Sequence, residues 1–414
     1  MKRFIKGLAT AAALTTAGLG VAQAQKAPIK FGLLLDFTAV YTFLTNEYSQ
    51  GQRDYLTLIN DQGGINGHRV EGIVVDHGNQ PQRGIEAYNR VSRDGAVLVD
   101  FLSTPVSRAM VNRVLDDKIV MITALHGRGD ASDGEVFPYI FPLMATYWSQ
   151  AALLAEYIEQ HGGGLKGKKI AHVYIDSPFG REPLPILQDL AKEKGFDLRT
   201  FPYASPGNEQ SATWSEVRRF RPDYVFIWGA GGGQSVSVRE AIRNGIKPDQ
   251  ILSVVWLAET DMRTVGEQRA KGVKRFEAVA TGTDLPLIKE ILAKVVDAGK
   301  GAGPRENVGT TYYNIGVATM AASVEAARLA LEKFGAPLTG DKLRQGFEMI
   351  KDFDAQGLMP PVTFSQKDHQ GGGRGRVSQW NGSAWEPVTD WHAAYQELVW
   401  REIHRDSAKF KESR

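Results

Sequence analysis

The stretch FIWGAGGGQSVSVREAIRNG, Phe226 to Gly245, runs from an apolar segment through a glycine cluster into a helical pattern. Backbone N–H groups at such a turn can cradle a phosphate, so nucleotide binding is the first chemistry to test. A dinucleotide fingerprint needs G-x-G-x-x-G, but Gly229 and Gly231 are followed at the sixth position by Gln234. No Gly-Lys-Ser/Thr stands nearby to make a P-loop, and neither H-E-x-x-H nor G-x-S-x-G occurs. The 8 histidines are scattered and cysteine is absent, which removes thiolate metal sites, disulfides and cysteine nucleophiles together. A hydrolase would have to rely on His126 or Asp176, and neither shares a recognisable motif with a nucleophile. No metal or cofactor is expected. The glycines, Gly229 among them, permit a tight turn and place it at the edge of a cleft.

Other residues suit the capture of a small molecule. In FLSTPVSRAM, Thr104 fits a helix N-cap and Pro105 the first helical position. The same helix start, carrying Ser103 and Thr104, is also an anion site, because free N–H groups and the helix dipole point at a carboxylate. Tyr41, Phe179, Trp228 and Trp256 stand near the ends of four apolar runs. Each has a packing explanation, and together they suggest an apolar or aromatic ligand held between rings. Glu259 follows the run ILSVVWL and suits an ammonium group; it equally suits a helix start, a role Asp261 can also serve.

The elements that must position these residues are legible as an alternation. Apolar runs (IKFGLLL, RVEGIVVD, GAVLVDFL, KIVMIT, KKIAHVYI, PDYVFIWG, ILSVVWL, RFEAVAT) are separated by amphipathic stretches such as GQRDYLTLINDQGG and SRAMVNRVLDD. Short unalternating runs read as strands buried on both faces of a parallel sheet, interleaved with helices. The fold class is α/β, doubly wound, and its ligands belong at the carboxyl ends of the strands. At 414 residues the chain exceeds one core, and the alternation runs in two cycles, before and after about Thr146. A long helical pattern, TTYYNIGVATMAASVEAARLALEKFG, comes late; WNGSAW then reads as a hairpin turn. The closing HRDSAKFKESR, within a C-terminal extension over 391–414, reads as a solvated or frayed tail.

The N-terminus MKRFIKGLATAAALTTAGLGVAQAQ has a basic start, an uncharged stretch from Gly7 to Val21 and small residues at Ala22 and Ala24. That is the pattern of a secretory signal over residues 1–24, cleaved before Gln25. About 15 uncharged residues fall short of the roughly 20 a spanning helix needs. Loss of Lys2, Arg3 and Lys6 takes the formal charge from +2 to −1. Nucleic-acid binding thereby loses its electrostatic argument, and the expected site is periplasmic.

Several segments resemble a known family. IKFGLLLDFTAVYTFLTNEYSQGQRDYLTLINDQGGINGHRVEGIVVDHGNQP, and within it INDQGGINGHRVE, looks like the opening of type I solute-binding proteins of branched-chain amino-acid ABC transporters. FLSTPVS, YWSQAALLAEYI, IDSPFGRE, YNIGVATMAASVEAA and WNGSAWEPVTDW fit as well. The resemblance implies two α/β lobes joined by three hinge strands, closing on one small molecule that is passed to a membrane permease. Lobe one would take 26–146 plus 282–359, and lobe two 147–281 plus 360–390. The loop with Ser103 and Thr104 would hold a ligand carboxylate. Leu125, His126 and Gly127 occupy positions that usually receive an amino acid, yet the family often has serine, proline and small residues there. His126 pairs with a carboxylate or belongs to a solvated loop. Phe179 stands where tyrosine commonly faces the ligand. The ligand is then a hydrophobic amino acid or related carboxylate; the unusual TALHG loop and the aromatics favour an aromatic acid or short amide instead.

Overall fold

A computed structural model describes residues 26–414; the expected export signal lies outside the described residues. The chain forms two sheets. The first holds β1 (Ile29–Leu35), β2 (Val70–Asp76), β3 (Ala96–Asp100), β4 (Val120–Ile122) and β5 (Ile140–Phe141), in the order β2-β1-β3-β4-β5, all parallel. The order reverses at β1. Right-handed crossovers therefore put helix Thr42–Asp61 on one face, and helices Pro81–Arg93 and Thr104–Asp117 on the other. Covered on both sides, β1 is apolar and buried almost throughout, which is why its sequence does not alternate.

The second sheet holds β6 (Lys169–Ile175), β7 (Asp197–Tyr203), β8 (Tyr224–Trp228), β9 (Ile251–Ser253), β10 (Lys274–Glu277), β11 (Arg376–Trp380) and β12 (Trp385–Pro387). Its order is β12-β11-β10-β9-β8-β6-β7, with β11 and β12 antiparallel. The hairpin expected at WNGSAW pairs Trp380 with Trp385, and Asn381 Oδ1 accepts from the Ser383 and Ala384 N–H groups to close the turn. Here the order reverses at β6. Each sheet thus has a crevice at its carboxyl edge, between β1 and β3 in the first and between β6 and β8 in the second.

The chain passes between the two layers three times. After β5 the helix Tyr147–His161 packs on β10 and β11; after β10 the helix Thr311–Phe334 returns to helix Thr42–Asp61; after helix Gly340–Met349 the chain enters β11. The long-helix contact is backbone-close. A Cβ on Gly51 would strike the Tyr313 carbonyl, and one on Gly316 the Tyr48 carbonyl.

The tail corrects the expectation of a solvated end. Helix Gln396–Ser413 buries Leu398, Val399, Ile403 and Ser407, and with them the carboxylate of Glu402, while most of its other charges lie on the outward face. At its start Tyr395 donates to Glu159 at 2.6 Å, and Arg405 reaches Asp189 at 3.5 Å, both on helices of the second layer. Further on, Ser407 donates to Asp133 at 2.7 Å and Phe410 stacks on Phe137 with ring centroids 4.6 Å apart, in the segment between β4 and β5. No described helix is long and apolar enough to cross a membrane.

Candidate functional site

The crevice of the first sheet is built from three loops. After β1, the buried Asp36 carboxylate accepts from the N–H groups of Ala39 (2.7 Å), Thr38 (3.2 Å) and Tyr41 (2.8 Å), which fixes the approach of Tyr41 and Phe43. Burial pushes the Tyr41 phenol upward, so it stays neutral. After β3, the helix Thr104–Asp117 is capped by Ser103, not by Thr104 as expected. Ser103 Oγ accepts from Val106 N at 3.3 Å and donates to Asn79 Oδ1 at 2.6 Å. With the cap one residue earlier, Thr104 is the first helical residue, and its Oγ1 accepts from Gly127 N at 3.3 Å.

After β4 comes the TALHG turn. Leu125 has φ +60°, and its carbonyl accepts from Gln150 Nε2 at 3.2 Å. This bend carries the His126 ring inward, where only 3% of the residue is exposed. Neither ring nitrogen has a hydrogen-bond partner among the described residues. Burial, with His77 adding to it, lowers the His126 pKa to about 3. The imidazole is therefore neutral, with one N–H and one lone pair uncommitted. A solvated loop histidine is excluded.

The second sheet faces these loops with Ala230 and Trp256. Gly231, at φ +57°, comes against the Val40 carbonyl and the Phe43 ring, so a side chain there would meet the opposite layer. The glycine cluster is thus a contact edge. Trp256 Nε1 donates to Tyr147 Oη at 2.7 Å, and the Trp256 carbonyl accepts from Tyr312 Oη at 2.7 Å. Behind Tyr147 stand Phe179 at 5.2 Å and Trp228 at 5.9 Å between ring centroids.

Tyr41, Thr104, His126, Tyr147 and Trp256 converge on one cavity, completed by Phe43, Leu44, Leu102 and Ala230. Its volume is about 10 Å³, on a scale where a single water needs roughly 10–15 Å³, so the two layers meet almost without a gap. Ser103, Leu125, Phe179, Trp228 and Gly229 do not line it. Ser103 is the cap, Leu125 the turn, and Phe179 and Trp228 the aromatic backing of Tyr147. Glu259 is elsewhere: its Oε1 accepts from Thr311 Oγ1 at 2.7 Å, and buried Arg275 lies close enough to interact with it. The expectation that Glu259 faces the ligand is corrected accordingly. Asp261 takes the helix-start role, accepting from Ala258 N at 3.0 Å and Ser235 Oγ at 2.6 Å. Sequence reasoning missed Phe43, Leu44, Leu102, Tyr147 and Ala230. Tyr147 was the one within reach, since it opens a helix at the expected crossing near Thr146.

Beside the cavity, Glu182 ties the layers together. Its Oε2 pairs with Arg108 Nη1 at 2.7 Å and its Oε1 accepts from Gly129 N at 2.8 Å. Burial raises its pKa to about 7 against the opposing pull of Arg108. A larger groove of about 760 Å³ lies outside this latch. Its cations are already paired, Arg128 with Asp130, Arg181 with Asp176 and Lys409 with Asp406, so it offers no free charge to a ligand.

A family model described as periplasmic binding protein matches residues 28–384. Leu/Ile/Val-binding protein homolog 3 of Brucella melitensis is 22% identical, over 67% of this chain and 74% of its own length. Among solved structures, one described as an ABC transporter permease from the Pseudomonas fluorescens group is 37% identical, with TM-score 0.86 over 93% of this chain and 97% of that one. A branched-chain amino acid ABC transporter structure from Thermus thermophilus with bound valine is 21% identical (TM-score 0.79; 92% and 99% covered). A fatty acid ABC transporter substrate-binding protein from Thermomonospora curvata is 23% identical (TM-score 0.75; 90% and 94% covered). The chain belongs to the periplasmic binding protein family, and is a solute-binding protein and not an enzyme.

Proposed function

We propose that the chain is the extracytoplasmic receptor of an ABC importer, closing two lobes on a small hydrophobic amino acid or related carboxylate. A signal cleaved before Gln25 exports it to the periplasm, and a membrane permease receives the solute. Lobe one comprises 26–146 plus 282–359, and lobe two 147–281 plus 360–390, with 391–414 laid across both. The observation that carries this reading is a cavity at the carboxyl edges of both sheets, with Thr104 and His126 from one side and Trp256 from the other. Solute capture by closure requires contacts from both bodies that favour the closed state. Relatives named for leucine, isoleucine and valine and one named for fatty acids share a carboxylate on a hydrocarbon. The helix start at Thr104 suits that head group.

Thermal-shift screening of the mature protein against amino acids, aliphatic and aromatic acids and amides tests the reading. A solute at 100 times its Kd should stabilise by about 2.7 kcal/mol, and small-angle scattering should show the same solute compacting the protein. A panel in which no solute does either overturns it.

A further inference from the structure

We propose that the captured solute carries no amino group: it is an apolar monocarboxylic acid whose carboxylate is held by His126 and Thr104. This rests on the receptor reading above and narrows it. An ammonium enclosed between closed lobes needs an anionic partner, because burying a lone charge is strongly unfavourable. Among the described residues no carboxylate lines the cavity.

The acidic groups that the strand ends bring to this region are all engaged elsewhere. Asp36 accepts from three backbone N–H groups. Asp100 accepts from Tyr48 Oη at 2.7 Å, Gln52 Nε2 at 2.8 Å and Leu102 N at 3.0 Å. Glu259 is held by Thr311, and Asp261 by Ser235 and Ala258. Glu47, on the neighbouring helix, accepts from Thr310 Oγ1 at 2.7 Å. None of them is among the residues that line the cavity.

What the wall offers instead matches a carboxylate. His126 is buried, neutral and without a partner at either nitrogen, so its N–H is a ready donor. The positive end of the 14-residue helix beginning at Thr104 lies beside it. A single imidazole lone pair cannot satisfy the three N–H groups of an ammonium. The remaining lining, Phe43, Leu44, Leu102 and Ala230 with the Tyr41, Tyr147 and Trp256 rings, is apolar or aromatic and suits a hydrocarbon body.

Matched pairs test this on the mature protein: 4-methylpentanoate against leucine, and 3-phenylpropanoate against phenylalanine, titrated by calorimetry. The expected result is that the acid binds at least tenfold tighter than its amino counterpart in at least one pair. His126→Ala should then weaken the acid at least tenfold, whereas His126→Gln, which keeps a donor, retains most of the affinity. Circular dichroism of both variants should match the parent. Equal or tighter binding of the amino acids overturns the proposal and leaves the receptor reading intact. Binding by neither member of either pair also overturns it, and scattering with the wider solute panel then decides whether the receptor reading survives.

Discussion

Arg108 Nη1 lies 2.7 Å from Glu182 Oε2, joining a helix of the first layer to the segment that follows β6 in the second. The pair is asymmetric. The Arg108 side chain is 42% exposed, while that of Glu182 is 6% exposed and also takes the Gly129 N–H.

This pairing predicts a proton-linked closure. In the closed form burial raises the Glu182 pKa to about 7; with the lobes apart, solvent returns it toward its ordinary value near 4.5. Closure therefore takes up a proton between those values, so this group's contribution is fully present below about pH 4.5 and is lost as pH rises through about 7. Solute affinity should fall from pH 5 to pH 8, and Glu182→Gln should flatten the slope. Calorimetry at several pH values, in two buffers of different ionisation enthalpy, reads both effects. Parallel slopes for the two proteins would dismiss the link.

Two histidines act with the opposite sign on folding. Burial lowers His126 to about 3 and His172 to about 4, from 6.5 in the unfolded chain. Below pH 6.5 the unfolded chain binds protons that the folded one refuses, so stability falls with pH. Each should cost about 2 kcal/mol at pH 5 relative to neutral pH. Urea denaturation of His172→Gln at pH 5 and pH 7.5 should show about that much less loss than the parent protein. An unchanged difference would mean that His172 is protonated in the fold.

Ser103 and Thr104 should separate cleanly. Ser103→Ala removes the cap and should cost about 1 kcal/mol of stability, with solute affinity within about threefold once folding is corrected for. Thr104→Val keeps the cap and should weaken solute binding by about 1–3 kcal/mol. Reversal of the two effects, read by denaturation and calorimetry side by side, would return the ligand contact to Ser103.

Glu259→Gln should leave affinity within about twofold, because the carboxylate serves Thr311. Trp256→Ala should weaken binding tenfold or more, equivalent to about 1.4 kcal/mol, since it opens the cavity wall and releases the Tyr147 hydroxyl. A binding loss confined to Glu259→Gln would place an ammonium site there after all.

The sequence carried the sheet interiors but not their margins. β8 is apolar end to end and β1 apolar but for Lys30, and both were plain as strands. β7 was missed because it is an edge strand, with alternating exposed residues and Pro202 within it. β5 spans only Ile140–Phe141, too short to leave a period. Of the cavity lining, Tyr41, Thr104, His126 and Trp256 were legible because strand ends in a doubly wound sheet converge. Glu259 misled because Thr311, which holds it, stands 52 residues away. The final helix misled because its charges were counted without the spacing of Leu398, Val399 and Ile403.

That final helix has a mechanical consequence. Its 18 residues make a rod about 27 Å long, fastened to Glu159 at its start and to Asp189 at its middle, and to Asp133 and Phe137 over its last two turns. A stiff strut fixed to both bodies of a joint prevents them from sliding apart along its length. If the two proposed lobes part to admit a solute, the motion left to them is a swing about an axis near the strut, like a door on its hinge pin. On that swing, entry to the cavity would be from the side facing away from the rod, with the doorway limited by how far the Ser407 and Phe410 attachments turn before they let go.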